Sequence, residues 1–230
     1  MILILTCEHG GNEIPDSYKF VFNNASKQLQ THRGFDLGAL DTFEYLKDLA
    51  RFSMYSKTSR LLIELNRSLH HNNLFSEFTK SLKPEHKNNI IETYYLPYRN
   101  CVESEISKLI SNDELVLHLS IHSFTPKLNS VERKCDVGLL YDSERHLEKE
   151  FSKALKLQLN IVNPDLNVRY NYPYLGKADG FTCYLRKQFP EHYIGIEIEI
   201  NQKFSKSNVM DSNLKQTLRL AIQSCLQFRK

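Results

Sequence analysis

The stretch that decides the fold is ILILTCEHGGNEIP, residues 2–15. Its apolar run, Ile2–Leu5, stops at Thr6-Cys7-Glu8-His9, and Gly10-Gly11 follow. A short apolar run closed by a turn signal reads as a strand buried on both faces, the kind found in a parallel sheet. Such a strand carries whatever follows it to an edge of the sheet. Here that is a cysteine, a glutamate and a histidine. A polar loop would account for them. So would a strand that delivers a metal ligand or a catalytic group to a cleft, and the rest of the chain has to decide.

Further along, Asp36–Ala50 places Leu37, Leu40, Phe43, Leu46 and Leu49 at a three-residue spacing, which marks one face of a helix. Leu61–Leu65 reads as a second strand. Lys87–Ile110 reads as a long helix bent near Pro97, because proline lacks the amide proton and crowds the preceding turn. Glu114–Ile121, Asp136–Tyr141 and Tyr193–Ile200 read as strands, Arg145–Leu157 and Asn213–Phe228 as helices. Strands alternating with helices predict an α/β fold with a mostly parallel sheet covered on both faces. No repeat and no Pro/Gly/Ser linker interrupts the pattern. Residues 1–230 are therefore expected to form a single domain, since 230 residues fill one core and fall short of two ordinary ones.

Composition narrows the function classes. Apolar residues at 41% and charged residues at 25% argue against disorder. A net charge of +3 is too small to imply a nucleic-acid or membrane partner, and the basic residues do not interleave with aromatics on one strand. No run approaches the roughly 18–20 apolar residues of a membrane span. The five cysteines are scattered and form no CxxC pair, which fits reduced thiols and argues against a disulfide framework or a zinc ribbon. A strand starting at Met1 leaves no room for a signal peptide. The expectation is a cytoplasmic protein acting on a small molecule, with no nucleic-acid or membrane partner. Nothing in the sequence sets an oligomeric state.

In open α/β sheets, ligands bind at the carboxyl ends of the strands. Those ends here carry Cys7-Glu8-His9, Asn66-Arg67-Ser68, His122-Ser123 and, on the last strand, Glu197 and Glu199 running into Asn201. A catalytic zinc takes three protein ligands and keeps a position for water. His9 and His122 are natural members of such a set. Glu8, Glu13, Asp36 and His32 are all candidates for the third place. Cys7, two residues from His9, would share its face on a strand, but a small buried residue is the commoner role for cysteine. Glu64 inside an apolar run needs a partner, and Arg60 or Arg67 would supply one, or would grip a substrate carboxylate. Glu197 and Glu199 have the same parity and face one side of their strand. Near a metal, one of them would serve as general base. Asn171, Tyr174 and Gly176 belong to a turn-rich, aromatic loop that would wall a pocket. Arg186 reads as a helix-surface residue in preference to an anion contact.

CEHGGNEIP (7–15), HRGFDLGA (32–39), SRLLIELNRS (59–68), HSFTP (122–126), DVGLLYD (136–142), NYPYLGKADGFT (171–182) and GIEIEINQ (195–202) stand in that order. The ordered set resembles the N-formylglutamate amidohydrolase family over about residues 3–202. The resemblance implies a three-layer α/β/α domain around a mixed sheet, similar to the zinc carboxypeptidases. It implies zinc-dependent hydrolysis of an N-acyl amino acid, with N-formyl-L-glutamate as the family's type substrate. It also implies roles. His9, Asp36 and His122 would hold one zinc, with Glu13 as the rival to Asp36. Glu199 would be the catalytic glutamate and Arg60 a transition-state contact. Asn66 and Arg67 would bind the substrate carboxylate, with Asn171, Tyr174, Gly176 and Asn201 as further substrate contacts. The chain departs from the pattern in two places. Cys-Glu-His-Gly-Gly stands where Pro-His-Ser-Gly is usual, and Glu197 and Gln202 replace a glutamine and an arginine of the last strand. A carboxypeptidase-like or amidase activity on a peptide or cell-wall fragment is the second reading. A non-catalytic metal- or ligand-binding protein is the third.

Overall fold

The computed structural model describes residues 1–227. Six strands form one sheet: β1 (Ile2–Cys7), β2 (Phe52–Tyr55), β3 (Val116–Phe124), β4 (Val137–Leu140), β5 (Val168–Tyr170) and β6 (Tyr193–Asn201). Their spatial order is β2-β1-β3-β6-β4-β5, and every neighbouring pair is parallel except β4 with β6. The main helices are α1 (Ala39–Leu46), α2 (Pro84–Ile90), α3 (Leu96–Ser111), α4 (His146–Val162), α5 (Phe181–Gln188) and α6 (Ser212–Gln227). This is the mixed α/β sheet covered on both faces that the sequence predicts. Among the described residues, no helix is long and apolar enough to cross a membrane.

Strand alternation builds the layers, because successive side chains point to opposite faces. Leu3, Leu5, Leu117, Leu119, Ile194, Ile196 and Ile198 face one side and pack against α1, α4 and α6 through Phe43, Phe151, Leu155, Leu218 and Ile222. Ile4, Val116 and Tyr193 face the other side, where Leu62, Ile63, Val102, Phe181 and Leu185 cover them. Each such fully buried side chain contributes about 1.5–3 kcal/mol. This second face changes character along the strands. Towards their carboxyl ends it presents Thr6, His118, Ser120, His122, Glu197 and Glu199, all buried. The register sets Ser120 beside Glu197 and His122 beside Glu199. A buried polar stripe on an otherwise apolar sheet is where the chemistry sits.

Several elements differ from the sequence reading. Leu61–Leu65 is buried but forms turns, not a strand. Its carbonyls are met by side chains: Ser76 donates to Leu61, Thr79 Oγ1 to Leu62 at 3.1 Å, and Arg99 Nη1 to Leu65 at 3.0 Å. Buried backbone groups need partners, and side chains satisfy them here as a sheet neighbour would. The strand in that part of the chain is β2, an edge strand of partly exposed residues. The proline bend is a wide π turn, Ile91–Tyr95, with Pro97 tolerated in the first turn of α3. Helix α1 begins at Ala39, so Asp36 precedes it. Strand β3 runs through His122 to Phe124. Strand β5 occupies a stretch with no predicted element, helix α5 is anticipated only in the reading of Arg186, and the end of the last expected helix, Phe228, lies outside the described residues.

Candidate active site

His9 leaves the end of β1, and His122 sits on β3, the neighbouring parallel strand. Asp36 comes from the loop before α1, whose backbone is fixed to β1 by the Asp36 N–H donating to His9 O at 2.9 Å. Both imidazoles turn Nδ1 to one atom. His9 Nδ1 is 3.3 Å and His122 Nδ1 is 3.0 Å from Asp36 Oδ2. The far nitrogens are held by separate carboxylates, His9 Nε2 by Glu64 and His122 Nε2 by Glu8 Oε2 at 3.1 Å, with Ser120 Oγ at 2.9 Å from His122 Nε2.

This arrangement fits a metal ion. A neutral imidazole that donates Nε2–H to a carboxylate presents a lone pair at Nδ1. Two such lone pairs aimed at one carboxylate oxygen repel unless positive charge lies among them, as protons on the rings or as a metal ion. Burial lowers the proton affinity of both histidines, but Glu64 and Asp36 at His9, and Asp36 and Glu8 at His122, outweigh it and raise both, so the group is built to hold positive charge. The three ligand atoms all fall within 4.8 Å of one another. A histidine whose other nitrogen is fixed by a carboxylate is the usual support of a metal ligand. Glu13, the rival third ligand, is exposed, as is His32. Burial is the largest influence on Glu8 and pushes its carboxyl up, yet the hydrogen bond and charge of His122 outweigh it and hold the acid well below the usual range.

Arg60 closes the far side. Its Nε and Nη2 donate to Glu64 Oε2 at 2.8 and 2.5 Å, and Nη1 donates to Asp36 Oδ1 at 3.1 Å. Glu199 faces this group from β6. Its Oε2 is buried with no hydrogen-bond partner. Burial raises its carboxyl to about 7, with Asp36 and Glu197 adding to the rise and His122 and Arg60 opposing it. A carboxyl with that affinity for protons can both take and return one near neutrality.

These groups open onto a cleft of about 310 Å3, lined also by Asn66, Arg67, Tyr174, Asp179 and Glu197. That volume suits a molecule of amino-acid size. Asn66 Nδ2 is 3.5 Å from His122 Nε2, and its Oδ1 accepts the Phe181 N–H at 2.6 Å, which fixes α5 beside the cleft. Arg67 Nη1 donates to the Asp179 carbonyl.

The structure brings His9, Asp36, His122, Arg60, Glu199, Asn66, Arg67 and Tyr174 to this cleft. Asn171, Gly176 and Asn201 are not among the residues lining it. Asn171, with φ 49°, accepts the Tyr141 and Gly176 N–H groups through Oδ1. Gly176 passes so close to β4 that an added Cβ would lie 2.1 Å from Tyr141 N. Asn201 Nδ2 donates to Cys135 O at 2.8 Å. All three hold loops in place. Arg186 is buried, not on the surface, and Cys7 packs in the apolar core, away from His9. Glu8 and Glu64 act behind the histidines, a role visible only once distant segments meet.

A family model described as N-formylglutamate amidohydrolase matches residues 1–205. Two solved structures share the fold. Gene product Atu2144 from Agrobacterium tumefaciens superposes with a TM-score of 0.82 at 21% identity, covering 99% of this chain and 92% of its own. N-formylglutamate amidohydrolase from Ralstonia eutropha JMP134 gives 0.73 at 16% identity, covering 100% and 94%. No curated protein matches the chain.

Proposed function

The chain belongs to the N-formylglutamate amidohydrolase family, and from that premise we propose that it is a zinc-dependent hydrolase cleaving the amide bond of a small N-acyl amino acid. The observation that carries the reading is the pair of imidazole Nδ1 atoms at 3.3 and 3.0 Å from Asp36 Oδ2, beside a buried carboxylate oxygen of Glu199 that has no partner. His9, Asp36 and His122 would hold the ion. When bound, zinc supplies Lewis acidity, which polarises an acyl carbonyl and acidifies water.

The chain's own residues do the rest. Glu199 Oε2 accepts the proton of the attacking water and returns it to the leaving nitrogen. Arg60 keeps N–H groups beyond those given to Glu64 and Asp36, and these meet the oxyanion as charge develops. Arg67 and Asn66 orient the substrate carboxylate. Tyr174 walls the entrance, and Asn171, Gly176 and Asn201 act on substrate only through the loops they fix. Five scattered cysteines with no CxxC pair suit a reducing cytoplasm.

Elemental analysis of wild type beside His122→Ala, with hydrolysis of N-formyl amino acids measured in parallel, tests the reading. About one zinc per chain is expected, lost in the variant. Glu199→Gln should keep the zinc and lose roughly 10²–10⁴-fold in turnover. Wild type that binds no zinc, or Glu199→Gln with near-normal rates, would sink the assignment.

A further inference from the structure

Hydrolysis as described leaves one buried carboxylate of the cleft unused. Glu197 lies on β6, two residues before Glu199 and on the same face. It is 9% exposed. Its carboxylate receives one hydrogen bond, from Thr182 Oγ1 to Oε1 at 2.8 Å. Among the described residues it enters no ion pair, although the buried Glu8, Glu64 and Glu148 all do. A buried carboxylate with one neutral donor is incompletely solvated, so a donor from outside has much to offer it.

No side chain stands between it and the turn before α5. A Cβ at Gly180 would lie 3.1 Å from Glu197 Oε1 and 3.3 Å from Asn66 Oδ1. The glycine lets the turn before α5 pack closely against both acceptors, beside the residues that orient the substrate carboxylate.

The guanidinium groups of the cleft are unequal. Arg60 has its charge matched by Glu64 and Asp36. Among the described residues Arg67 reaches a backbone carbonyl through Nη1 and enters no ion pair, so its charge is left for a substrate anion. One ligand carboxylate is therefore accommodated. A second one would meet Glu197.

We propose that Glu197 determines specificity, and that the substrate is an N-acyl amino acid whose side chain ends in a cation, an ammonium or guanidinium on a short alkyl stem. The amide to be cleaved rests on the hydrolytic reading above; the side-chain preference does not.

Calorimetric binding to zinc-supplemented Glu199→Gln protein, in which ligand is not consumed, tests it with Nα-formyl-L-lysine, N-formyl-L-glutamine and N-formyl-L-glutamate. The lysine derivative should bind at least about tenfold more tightly than the glutamate derivative, and adding Glu197→Gln should remove most of that ratio. The order on unaltered Glu197 is decisive even if the double variant does not fold. Equal or tighter binding of the glutamate derivative, a ratio unmoved by Glu197→Gln, or no binding of any of the three overturns the proposal. Turnover is scored separately on wild type. The expected binding order with no hydrolysis removes the hydrolytic reading alone, whereas hydrolysis that favours the glutamate derivative removes the specificity alone.

Discussion

Two clusters of buried arginine and carboxylate stand against this sheet, and they are built differently. At α5, Arg186 gives Nε to Glu148 Oε1 at 2.8 Å, Nη1 to Gly176 O at 2.5 Å and Nη2 to Gly195 O at 2.8 Å. Glu148 also accepts the Asp142 and Gly195 N–H groups at 2.8 and 3.2 Å. Every nitrogen and both oxygens are closed within the protein. In the cleft, Arg60, Glu64 and Asp36 are also paired, but two imidazole Nδ1 atoms compete for Asp36 Oδ2, and Glu199 Oε2 bonds to nothing. Burying charge therefore does not mark a site. Bonding capacity left over after burial does.

The closed cluster should behave as scaffold. Arg186→Met leaves Glu148 buried with its charge largely uncompensated, a change that costs on the order of 3 kcal/mol of stability. The loss falls at the low end of the usual range because Arg145 Nε remains 3.3 Å from Glu148 Oε1. Urea unfolding measures it, and zinc content should not change. A loss below about 1 kcal/mol would mean that burial and closure are not what distinguishes this pair.

The same distinction explains what was legible in the sequence. Parity gave the Ile/Glu alternation of β6, and strand-end position pointed to His9 and His122. Those signals are local. Asp36 reaches the site because its N–H bonds to His9 O, across 27 residues, and only the family likeness singled it out. Leu61–Leu65 looked like a strand because an apolar run reports burial, and burial here comes with carbonyls capped by Ser76, Thr79 and Arg99 from later in the chain. Arg186 looked like surface because α5 is a short helix emerging from a turn-rich loop. Glu64 could be seen as a buried acid and Glu8 as a candidate ligand, but their histidine partners could not be assigned before the fold was known.

Strand β3 repeats the comparison in two histidines of one face. His122 has its Nδ1 in the cleft. His118, four residues earlier, is closed at both ends, by Thr6 Oγ1 at 2.8 Å and Tyr193 Oη at 2.7 Å. Burial pushes its pKa from 6.5 down to about 4, with Glu8 opposing the fall. The unfolded chain therefore binds the extra proton first as pH drops. Stability from a neutral His118 is complete above 6.5 and is lost between 6.5 and about 4, by up to about 3 kcal/mol. His118→Gln should flatten that part of the stability–pH curve measured by urea unfolding. Parallel curves for the two proteins would show that the acid sensitivity arises elsewhere.

The smallest expected effect divides the clusters most sharply. Glu199 is buried with an oxygen unpartnered and its carboxyl raised to about 7, first by burial and then by Asp36 and Glu197. A raised carboxyl contributes fully to stability below its ordinary value of 4.5, where it is neutral in both states. That contribution is lost as pH rises from 4.5 through about 7, because the unfolded chain ionises first. In metal-free protein, Glu199→Gln removes the penalty. The variant should match wild type in acid and exceed it by about 1 kcal/mol above neutrality, the gain being limited by the new amide's own need for partners. Arg186→Met loses stability with its zinc site intact, whereas Glu199→Gln should gain stability while losing turnover. If Glu199→Gln is instead destabilised as much as Arg186→Met, its carboxylate is a structural partner like Glu148, and unpartnered burial no longer separates site from scaffold.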